Sequence, residues 1–429
     1  MKNDSVMLRK VLIAYKYKRR RGWSSERRRA MQGELLRKVV ADAYGSVPFY
    51  RRWLDEAGVS IDMIETLDDL QKIPVVTKRD FALVDIKDRI KEGVDLEKCH
   101  SSQTSGSTGT PAKTYFSKDE YRDRRGRMHL GFADLGCKPY ERVISLGKLI
   151  NKPRREKFSF PSSIIKPAIL KNFRNKLYSL RSSVVYGDQP TRTYQRALKH
   201  EKSGRSTYSP RMIVAAGDMM TASARKYIEG VYGCPFKFFY GTKEFGMIGT
   251  ECPESESYHV TSDNIIIEVI KDGVRVADGE EGVMTLTDLT ERVMPMIRYE
   301  LGDIVTYSED GCSCGHKGPV ILSLKGRADD LIILPDGSAI SAYFAVESIY
   351  DISTIIQFRI IQKSLEAFEI EYEGEIPEER KARIRAEYAD KFSADNVTFR
   401  KVDHMSPDPS GKLRKFISHV KSTHDITPS

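Results

Sequence analysis

The apolar positions near the N-terminus predict helices with short breaks. From Met31 to Phe81, apolar residues recur every three or four positions, as on one face of a helix. Five of them share one face: Leu35, Leu36, Val39, Val40 and Ala43. Gly45 and Pro48 then interrupt the pattern, because neither residue favours a helix interior. We therefore expect a helix that breaks at these two residues.

The middle of the chain predicts a buried sheet with helices between its strands. Four short apolar runs each end in glycine, namely "RVISLG", "SSVVYG", "RMIVAAG" and "CPFKFFYG". Runs of this length without alternation are typical of strands covered on both faces. From Ile265 the period changes to two, and Asp272-Gly273 is a hairpin signal, so antiparallel hairpins are expected there.

The last hundred residues predict a separate unit. After Arg327 the runs follow the order β-α-β-β-α-β, including the charged helix "PEERKARIRAEYADKF". The expected fold class is therefore α/β. A large N-terminal domain would combine β-sheets, packed helices and a small β-rich subdomain, and a small α+β domain would follow it.

Composition favours a globular protein of the cytoplasm. The chain has 429 residues, 40% of them hydrophobic and 30% charged. No apolar run reaches the ~18 residues of a membrane span, and the N-terminus lacks the apolar core of a secretory signal. Six cysteines in a chain of this length do not suggest a disulfide framework, so a reducing compartment is expected.

Charge is concentrated in two basic segments. The net charge is +10, and the first thirty residues hold eleven Lys or Arg against Asp4 and Glu26. A second basic segment spans Asn151 to Lys176. Both could be solvated surfaces, or they could contact a membrane surface, an acidic carrier protein or a phosphorylated cosubstrate. Apolar residues among the N-terminal cations suit a peripheral membrane contact as well as core packing. No nucleic-acid recognition module is present, so we expect no nucleic-acid partner.

One loop carries the first chemical signal. "SSQTSGSTGTPAKT" spans Ser101 to Thr114 and is rich in small hydroxyl residues and glycine. Free N–H groups and hydroxyls can surround phosphate oxygens, and Lys113 adds a positive charge. The glycine spacing does not match a Walker A loop, so by itself the segment is either a flexible linker or a phosphate site.

Five segments in order make the sequence resemble the adenylate-forming superfamily of acyl-CoA synthetases, peptide-synthetase adenylation domains and luciferases. More narrowly, the chain resembles the phenylacetate–CoA ligase family, with its coenzyme F390 synthetase-like and capsule-biosynthesis relatives. The segments are "TSGSTGTPAKT" (Thr104–Thr114), "FFYGTKEFG" (Phe238–Gly246), "MPMIRYELGDI" (Met294–Ile304), "KGRADDLIIL" (Lys325–Leu334) and "DPSGKLRK" (Asp408–Lys415). "AAGDMM" and the N-terminal "YGSVPFYRRWLDEAG" match further parts of the family pattern.

The resemblance implies an enzyme that activates a carboxylic acid with ATP and Mg²⁺. The carboxylate attacks the α-phosphate and expels pyrophosphate, so the protein must mainly position the reactants and stabilise charge. The domains would be residues 1–328, which form the adenylate, and residues 329–429, a mobile lid. Asp329 would be the hinge between them.

The resemblance also assigns roles to individual residues. Lys412, Glu244 and Thr108 would be catalytic, and Glu244 would bind Mg²⁺. Tyr240 would stack on adenine, and Asp303 would accept the ribose hydroxyls. The nucleotide-binding set would be Thr104, Ser105, Gly106, Ser107, Thr108, Gly109, Lys113, Gly217, Asp218, Tyr240, Gly241, Thr242, Asp303 and Arg327. For Arg298 and Arg327 a structural ion pair is an alternative role.

The acyl acceptor is open at this stage. The family implies CoA, but its glycine-bearing loop after the hinge is replaced here by "LPDGSAISAYF". That departure, with the basic N-terminus, favours an alternative in which an amine or hydroxyl of a cell-surface polysaccharide precursor accepts the acyl group. A third interpretation is a nucleotide sensor without turnover, against which the joint presence of Glu244, Asp303 and Lys412 argues.

A metal site is the last prediction. Cys252, His259, Cys312 and Cys314 could complete a tetrahedral zinc site that stabilises the β-rich subdomain, with His316 as an alternative ligand. The other interpretation is four unconnected surface residues. The remaining cysteines are expected to be small buried side chains: Cys99, Cys137 and Cys234.

Overall fold

The structure is a computed structural model that describes most of the chain. The described residues are 13, 15–20, 22–103, 113–138, 143–145, 184–186, 189–202, 210–261, 263–328, 330–350, 352–407 and 413–420. The second basic segment and the first twelve residues lie outside them, so the predicted membrane contact stays a prediction. No helix in the described ranges is both long enough and apolar enough to span a membrane.

The described chain alternates helices and strands. The helices are α1 Ser25–Ser46, α2 Pro48–Glu56, α3 Lys78–Leu83, α4 Lys118–Asp134, α5 Pro190–Lys202, α6 Ala222–Tyr232, α7 Tyr343–Tyr350 and α8 Glu378–Phe392. The strands are β1 His100–Gln103, β2 Lys113–Phe116, β3 Val143–Ser145, β4 Val184–Tyr186, β5 Met212–Ala215, β6 Phe236–Thr242, β7 Gly246–Glu251, β8 Tyr258–Val260, β9 Ile265–Lys271, β10 Val274–Arg275, β11 Glu281–Asp288, β12 Tyr299–Ser308, β13 Val320–Arg327, β14 Leu331–Ile333, β15 Ala339–Ser341, β16 Ile355–Gln362, β17 Ala367–Gly374, β18 Asn396–Lys401 and β19 Phe416–Ser418.

The chain packs as two compact units. The first contains residues 1–138 and 239–325, and the second contains residues 139–238 and 326–429. This division describes packing, whereas the predicted boundary at Asp329 concerns which part moves. The domain boundary therefore stays a prediction.

Helices form the N-terminal part of the first unit, as the apolar period predicted. Ser24 caps α1 by accepting a hydrogen bond from the Arg27 N–H. The helix ends at Ser46, and α2 begins with Pro48 in its first turn, where a missing N–H costs little. The predicted apolar face of α1 is largely buried, with Leu36 and Val39 fully so.

Antiparallel hairpins dominate the sheet of the first unit. Its strand order is β10-β9-β11-β12-β13-β8-β7-β6. Asp272 and Gly273 join β9 to β10 with φ angles of 52° and 80°, the left-handed backbone that a tight hairpin turn needs. The predicted hairpin is therefore confirmed. The apolar faces of β9, β11 and β12 pack with α1 and α2 in one core.

The second unit begins with the predicted buried strands. β3, β4, β5 and residues 236–238 of β6 pair in parallel. The four glycine-terminated runs are thus strands, and α5 and α6 follow β4 and β5 in the chain. Val184, Ile213, Val214 and Phe236 are at most 1% exposed, which explains the uninterrupted apolar runs.

The C-terminal part of the second unit departs from the predicted strand order. A four-stranded sheet has the order β18-β17-β16-β19, and α8 connects β17 to β18. The first predicted strand, after Arg327, is instead a separate hairpin of β14 and β15. The fourth position of the sheet is taken by Phe416–Ser418, which pairs in parallel with β16.

One buried carboxylate joins the two parts of the second unit. Glu373 on β17 accepts hydrogen bonds from the Tyr194 hydroxyl at 2.6 Å and from the Met405 N–H at 3.4 Å. His404 Nδ1 lies 3.1 Å from the same carboxylate. Nearby, the Thr221 hydroxyl donates to the Ile356 carbonyl at 2.5 Å. These contacts hold α5 and the start of α6 against the C-terminal sheet.

Candidate functional site

The predicted phosphate loop begins and ends at two paired strands. β1 and β2 are antiparallel, with Gln103 opposite Lys113. His100 stacks on Tyr121 of α4 with ring centroids 4.0 Å apart, so α4 anchors this pair of strands. Lys113 is exposed, and its Nζ lies 4.9 Å from the centroid of the Tyr115 ring. Six predicted phosphate ligands lie outside the described residues: Thr104, Ser105, Gly106, Ser107, Thr108 and Gly109.

The turn between β6 and β7 carries the second predicted motif. Gly241 has no room for a side chain, because a Cβ there would lie 2.4 Å from the Gly246 carbonyl oxygen. The Thr242 hydroxyl accepts a hydrogen bond from the Phe245 N–H at 3.1 Å. Phe245 is fully buried in the core, which fixes the turn from one side. Glu244, at the centre of this turn, is 7% exposed.

The structure brings two predicted nucleotide ligands into direct contact. The Tyr240 hydroxyl donates a hydrogen bond to Oδ2 of Asp303, although 63 positions separate them in the chain. Tyr240 lies on β6 and Asp303 on β12, and each is less than a tenth exposed. Asp303 is therefore held in place by the same side chain that was predicted to stack on adenine.

Sequence reasoning missed the residue that holds the Glu244 turn. Arg124 of α4 donates hydrogen bonds to two successive backbone carbonyls, those of Lys243 (2.8 Å) and Glu244. Its Nη1 also donates to Oε1 of Glu291 at 2.6 Å. Arg124 belongs to none of the five segments that resemble known motifs, so the sequence offered no signal for it.

Arg124 belongs to a cluster of buried charges. Arg127, one turn further along α4, is 1% exposed and donates to Asp288 Oδ2 at 3.0 Å. Asp123 and Glu291 lie within 3.8 Å of the same guanidinium. Two guanidinium groups thus face three carboxylates. Burial raises the pKa of Glu291 to about 8, with the neighbouring Arg124 acting in the opposite direction.

Arg298 has a structural role, one of the two that its motif allowed. Its guanidinium donates to both carboxylate oxygens of Glu268, at 3.0 and 3.1 Å. It also donates to the backbone carbonyls of Gln71 at 3.1 Å and Ile73 at 2.5 Å. Arg298 is 5% exposed and Glu268 is 2% exposed. The residue therefore joins β9 and β12 to the segment before α3.

The remaining predicted ligands belong to the second unit. Gly217 follows β5 with φ of 108°, a backbone conformation that favours glycine. Oδ2 of Asp218 accepts hydrogen bonds from the Thr191 N–H at 3.2 Å and from the Thr191 hydroxyl. Arg327 ends β13 and is partly exposed. Asp329 and Lys412 lie outside the described residues.

Four potential metal ligands converge in the first unit. The ligand atoms of Cys252, His259, Cys312 and Cys314 all lie within 4.8 Å of one another. Sγ of Cys252 is 3.7 Å from Sγ of Cys312, and Sγ of Cys314 is 3.3 Å from Nε2 of His259. The interpretation as unconnected surface residues is therefore wrong. His316, the alternative ligand, stacks on His259 with ring centroids 4.1 Å apart.

Strand pairing explains this convergence. β8 carries His259, which lies opposite Val320 of β13, so the turn before β13 is brought to the same edge. Within that turn the Cys312 N–H donates to the His316 carbonyl at 2.8 Å, and Gly311 and Gly315 have φ angles of 93° and 90°. Cys252 directly follows β7, the other neighbour of β8.

The remaining cysteines do not all match their prediction. Cys137 and Cys234 are buried, whereas Cys99 is half-buried at the end of a short helical turn. The exposure of Cys99 follows from its position just before β1, at the surface.

Proteins similar in sequence are ligases. The phenylacetate-coenzyme A ligase of Thermus thermophilus is 27% identical over 332 residues, which cover 72% of both chains. The enzyme of the same name from Escherichia coli is 27% identical over 327 residues, covering 71% of this chain and 72% of that one. No family model matches the chain.

Solved structures share the fold. A 2-hydroxyisobutyryl-CoA ligase in the postadenylation state, in complex with R3-HIB-AMP, superposes with a TM-score of 0.71. It is 19% identical, and the match covers 93% of this chain and 91% of that one. An open conformation of that ligase, in complex with 2-HIB-AMP and CoA, superposes with a TM-score of 0.61. It is 20% identical, and the match covers 91% of each chain. The predicted α/β fold class is confirmed.

The contacts of Arg298 predict a loss of stability when it is replaced. Arg298→Met would leave the Glu268 carboxylate buried without its partner, at a cost of about 3–5 kcal/mol in the free energy of unfolding. Urea denaturation measures this cost. In the double variant Arg298→Met/Glu268→Met most of the loss should be recovered, because no charge remains buried. A stable single variant that has lost nucleotide binding would contradict the structural role.

Proposed function

We propose that this chain, a relative of the phenylacetate–CoA ligases within the adenylate-forming superfamily, is an AMP-forming ligase. It uses ATP and Mg²⁺ to convert a carboxylic acid into an acyl-adenylate, with release of pyrophosphate, and then transfers the acyl group to CoA. The names of the sequence relatives and the complexes of the structural neighbours with acyl-AMP and CoA support this proposal.

The contact between Tyr240 and Asp303 carries the proposal. Two motifs that resemble nucleotide-binding segments converge through the hydroxyl of one and the carboxylate of the other. A carboxylate with one oxygen held by a tyrosine can still accept two ribose hydroxyl protons, because each oxygen has more than one lone pair. The Tyr240 ring beside it would supply a flat face for adenine.

Phosphate binding is assigned to the first unit. Residues 104–109, with Lys113, would surround the β- and γ-phosphates through N–H groups and hydroxyls. Within this segment Thr108 would be the catalytic residue. Glu244 would bind Mg²⁺, which commonly takes one or two protein carboxylates and completes its shell with phosphate oxygens and water. The ion would offset charge that develops on the phosphates. Gly241 and Thr242 would shape the turn that presents Glu244.

The second unit would supply the remaining groups. Gly217 and Asp218 would border adenine, and Arg327 would bind the nucleotide. Lys412 would place a cation between the carboxylate of the acid and the α-phosphate, where negative charge builds up. Residues 329–429 would rotate about Asp329 between the two half-reactions, with residues 1–328 as the other domain.

The hairpin after the hinge favours a second candidate for the acceptor. β14 and β15 are joined at Gly337, whose φ is 84°, and the Leu334 N–H donates to the Ser338 carbonyl at 2.8 Å. This tight turn stands where the family has a glycine-bearing loop. The alternative acceptor is an amine or hydroxyl on a cell-surface polysaccharide precursor. Acyl transfer that proceeds without CoA would favour this alternative.

ATP–pyrophosphate exchange tests the adenylation step. The wild-type protein should exchange label in the presence of Mg²⁺ and one member of a panel of aryl, hydroxy, fatty and amino acids. Asp303→Asn should lower exchange by about 100-fold or more, because the amide cannot accept both ribose hydroxyls, while its oxygen still accepts from Tyr240 and preserves the fold. Lys412→Ala should lower exchange at least as much.

An exposed aspartate provides the matched control. Asp272→Asn changes the same group at the turn before β10, where asparagine also tolerates positive φ, and it should leave exchange unchanged. Wild-type exchange that Asp303→Asn does not reduce would rule out the assigned ribose ligand. Absence of ATP binding by the wild-type protein would rule out the function.

We also propose that the four converging ligands bind a structural Zn²⁺. Bond lengths of about 2.3 Å to sulfur and 2.0–2.1 Å to nitrogen separate two sulfurs of a tetrahedral site by roughly 3.8 Å, and a sulfur and a nitrogen by roughly 3.5 Å. The Cys252–Cys312 sulfurs are 3.7 Å apart, close to the first value, and Sγ of Cys314 lies 3.3 Å from Nε2 of His259, slightly closer than the second. The ion would tie the β7–β8 turn to the β12–β13 turn, and it has no assigned part in acyl transfer.

Metal analysis tests the zinc site. Purified protein should contain about one Zn²⁺ per chain, and Cys312→Ser/Cys314→Ser should contain almost none, with a lower melting temperature. Cys99→Ser is the control, since this half-buried thiol lies outside the cluster, and it should retain the metal. Zinc-free wild-type protein of unchanged stability would contradict the proposal.

A further inference from the structure

The turn that carries Glu244 is fixed by a side chain from a different element. Arg124 donates hydrogen bonds to the carbonyls of Lys243 and Glu244, the two residues at the head of the turn. A guanidinium is planar and presents its donors as a fixed fork, so two successive carbonyls define its orientation and are defined by it. The backbone of Glu244 therefore cannot move without breaking these bonds.

Arg124 is itself held on three sides. Its guanidinium carbon lies 4.0 Å from the centroid of the Phe116 ring, and Nη1 donates to Glu291 Oε1 at 2.6 Å. A Cβ at Gly246 would lie 3.4 Å from Nη2, so the turn packs closely against the guanidinium. The side chains of Arg124 and Glu291 are 10% and 2% exposed.

These contacts connect the strand that follows the phosphate segment with the turn assigned to the metal ion. Phe116 lies on β2, which begins where the phosphate segment ends, and Glu244 lies between β6 and β7. Arg124 touches β2 through the Phe116 ring on one side and the Glu244 turn through its carbonyls on the other. A shift of either segment would have to displace a buried, charged group that has several partners.

We propose that Arg124 is a positioning residue that sets the placement of the Glu244 carboxylate toward the Mg²⁺–nucleotide complex. The inference rests on the proposed function, because it requires Glu244 to bind that ion. The guanidinium of Arg124 is engaged by the turn carbonyls, Glu291 and the Phe116 ring, so no contact with the reactants is assigned to it. It acts through Glu244, so its loss weakens the response to Mg²⁺ more than it weakens contact with the nucleotide itself.

Binding measurements separate this role from general stabilisation. The probe is α,β-methylene-ATP, which is not cleaved at the α-phosphate, titrated by calorimetry at several Mg²⁺ concentrations. Arg124→Lys keeps the charge but loses the fork. It should raise the Mg²⁺ concentration needed for half-maximal binding about tenfold, as expected for loss of one charge-assisted hydrogen bond. Affinity without Mg²⁺ should be unchanged.

Two further variants complete the design. Arg122, two residues earlier on α4, pairs with Asp119 of the same helix. The control variant Arg122→Lys should therefore behave as the wild type. Glu244→Gln should lose the Mg²⁺ response, and adding Arg124→Lys to it should change nothing further, because both act at one ion. If Arg124→Lys fails to fold, Glu291→Gln serves in its place, with a smaller shift in the same direction.

The outcomes are distinguishable. An unchanged Mg²⁺ requirement in a folded Arg124→Lys protein overturns the inference and leaves the proposed function standing. An additive effect in the double variant would also overturn the inference but not the proposed function. The same holds for a loss of affinity that is equal with and without Mg²⁺. A wild-type protein that binds the analogue with no Mg²⁺ response overturns the assigned metal role of Glu244, and with it the inference.

Discussion

The buried pairing of arginines on α4 with carboxylates at the end of β11 is the constraint on which the first unit depends. Arg127 and Asp288 are almost completely buried and 3.0 Å apart. Removing either side chain would leave the other charge unpaired in the protein interior, which solvates it poorly. Such a loss typically lowers the free energy of unfolding by several kcal/mol. Because Glu291 and Arg124 extend the pairing by one further contact, the position of α4 on the sheet is fixed by charge as well as by packing.

The geometry of the candidate site depends on that pairing of buried charges. α4 supports β1 through His100 and Tyr121, supports β2 through Phe116, and supports the Glu244 turn through Arg124. From the sheet side, Tyr240 and Asp303 link β6 to β12. One rigid helix therefore aligns segments that are far apart in the chain. Such an arrangement suits a reaction in which catalysis consists mainly of positioning and electrostatic stabilisation.

Local signals in the sequence predicted much of the fold. The glycine-terminated apolar runs are strands because a strand covered on both faces needs no polar positions, and Asp272-Gly273 is a turn because its backbone angles are rare for other residues. Asp336-Gly337 is the same kind of hairpin signal, and β14 and β15 pair on either side of it. That this hairpin stays separate from the four-stranded sheet was not predictable, since an apolar run does not reveal which sheet it joins. Cys252, His259, Cys312 and Cys314 could be grouped from sequence because few other functions need thiols and an imidazole in two short segments.

The buried charges could not be predicted, and the reason is physical. α4 reads "KDEYRDRRGRMHLGFAD", a helix with charge on every face, and arginine in such a helix is usually solvated. Only the position of Asp288 and Glu291, more than 150 residues later, makes Arg124 and Arg127 interior residues. For Arg298 the motif left a structural ion pair as an alternative to a ligand role, and the partner in that ion pair, Glu268 on β9 of the same sheet, could not be identified from the sequence.

The fate of the carboxylate oxygens tests the central claim most directly. The protein would be supplied with ATP, Mg²⁺, CoA and an acid labelled with ¹⁸O in its carboxylate, and the products analysed by mass spectrometry. If the carboxylate attacks the α-phosphate and the acyl group then leaves for the thiol, each AMP carries one ¹⁸O atom and pyrophosphate carries none. Unlabelled AMP, or ADP formed together with ¹⁸O-labelled phosphate, would contradict an acyl-adenylate intermediate.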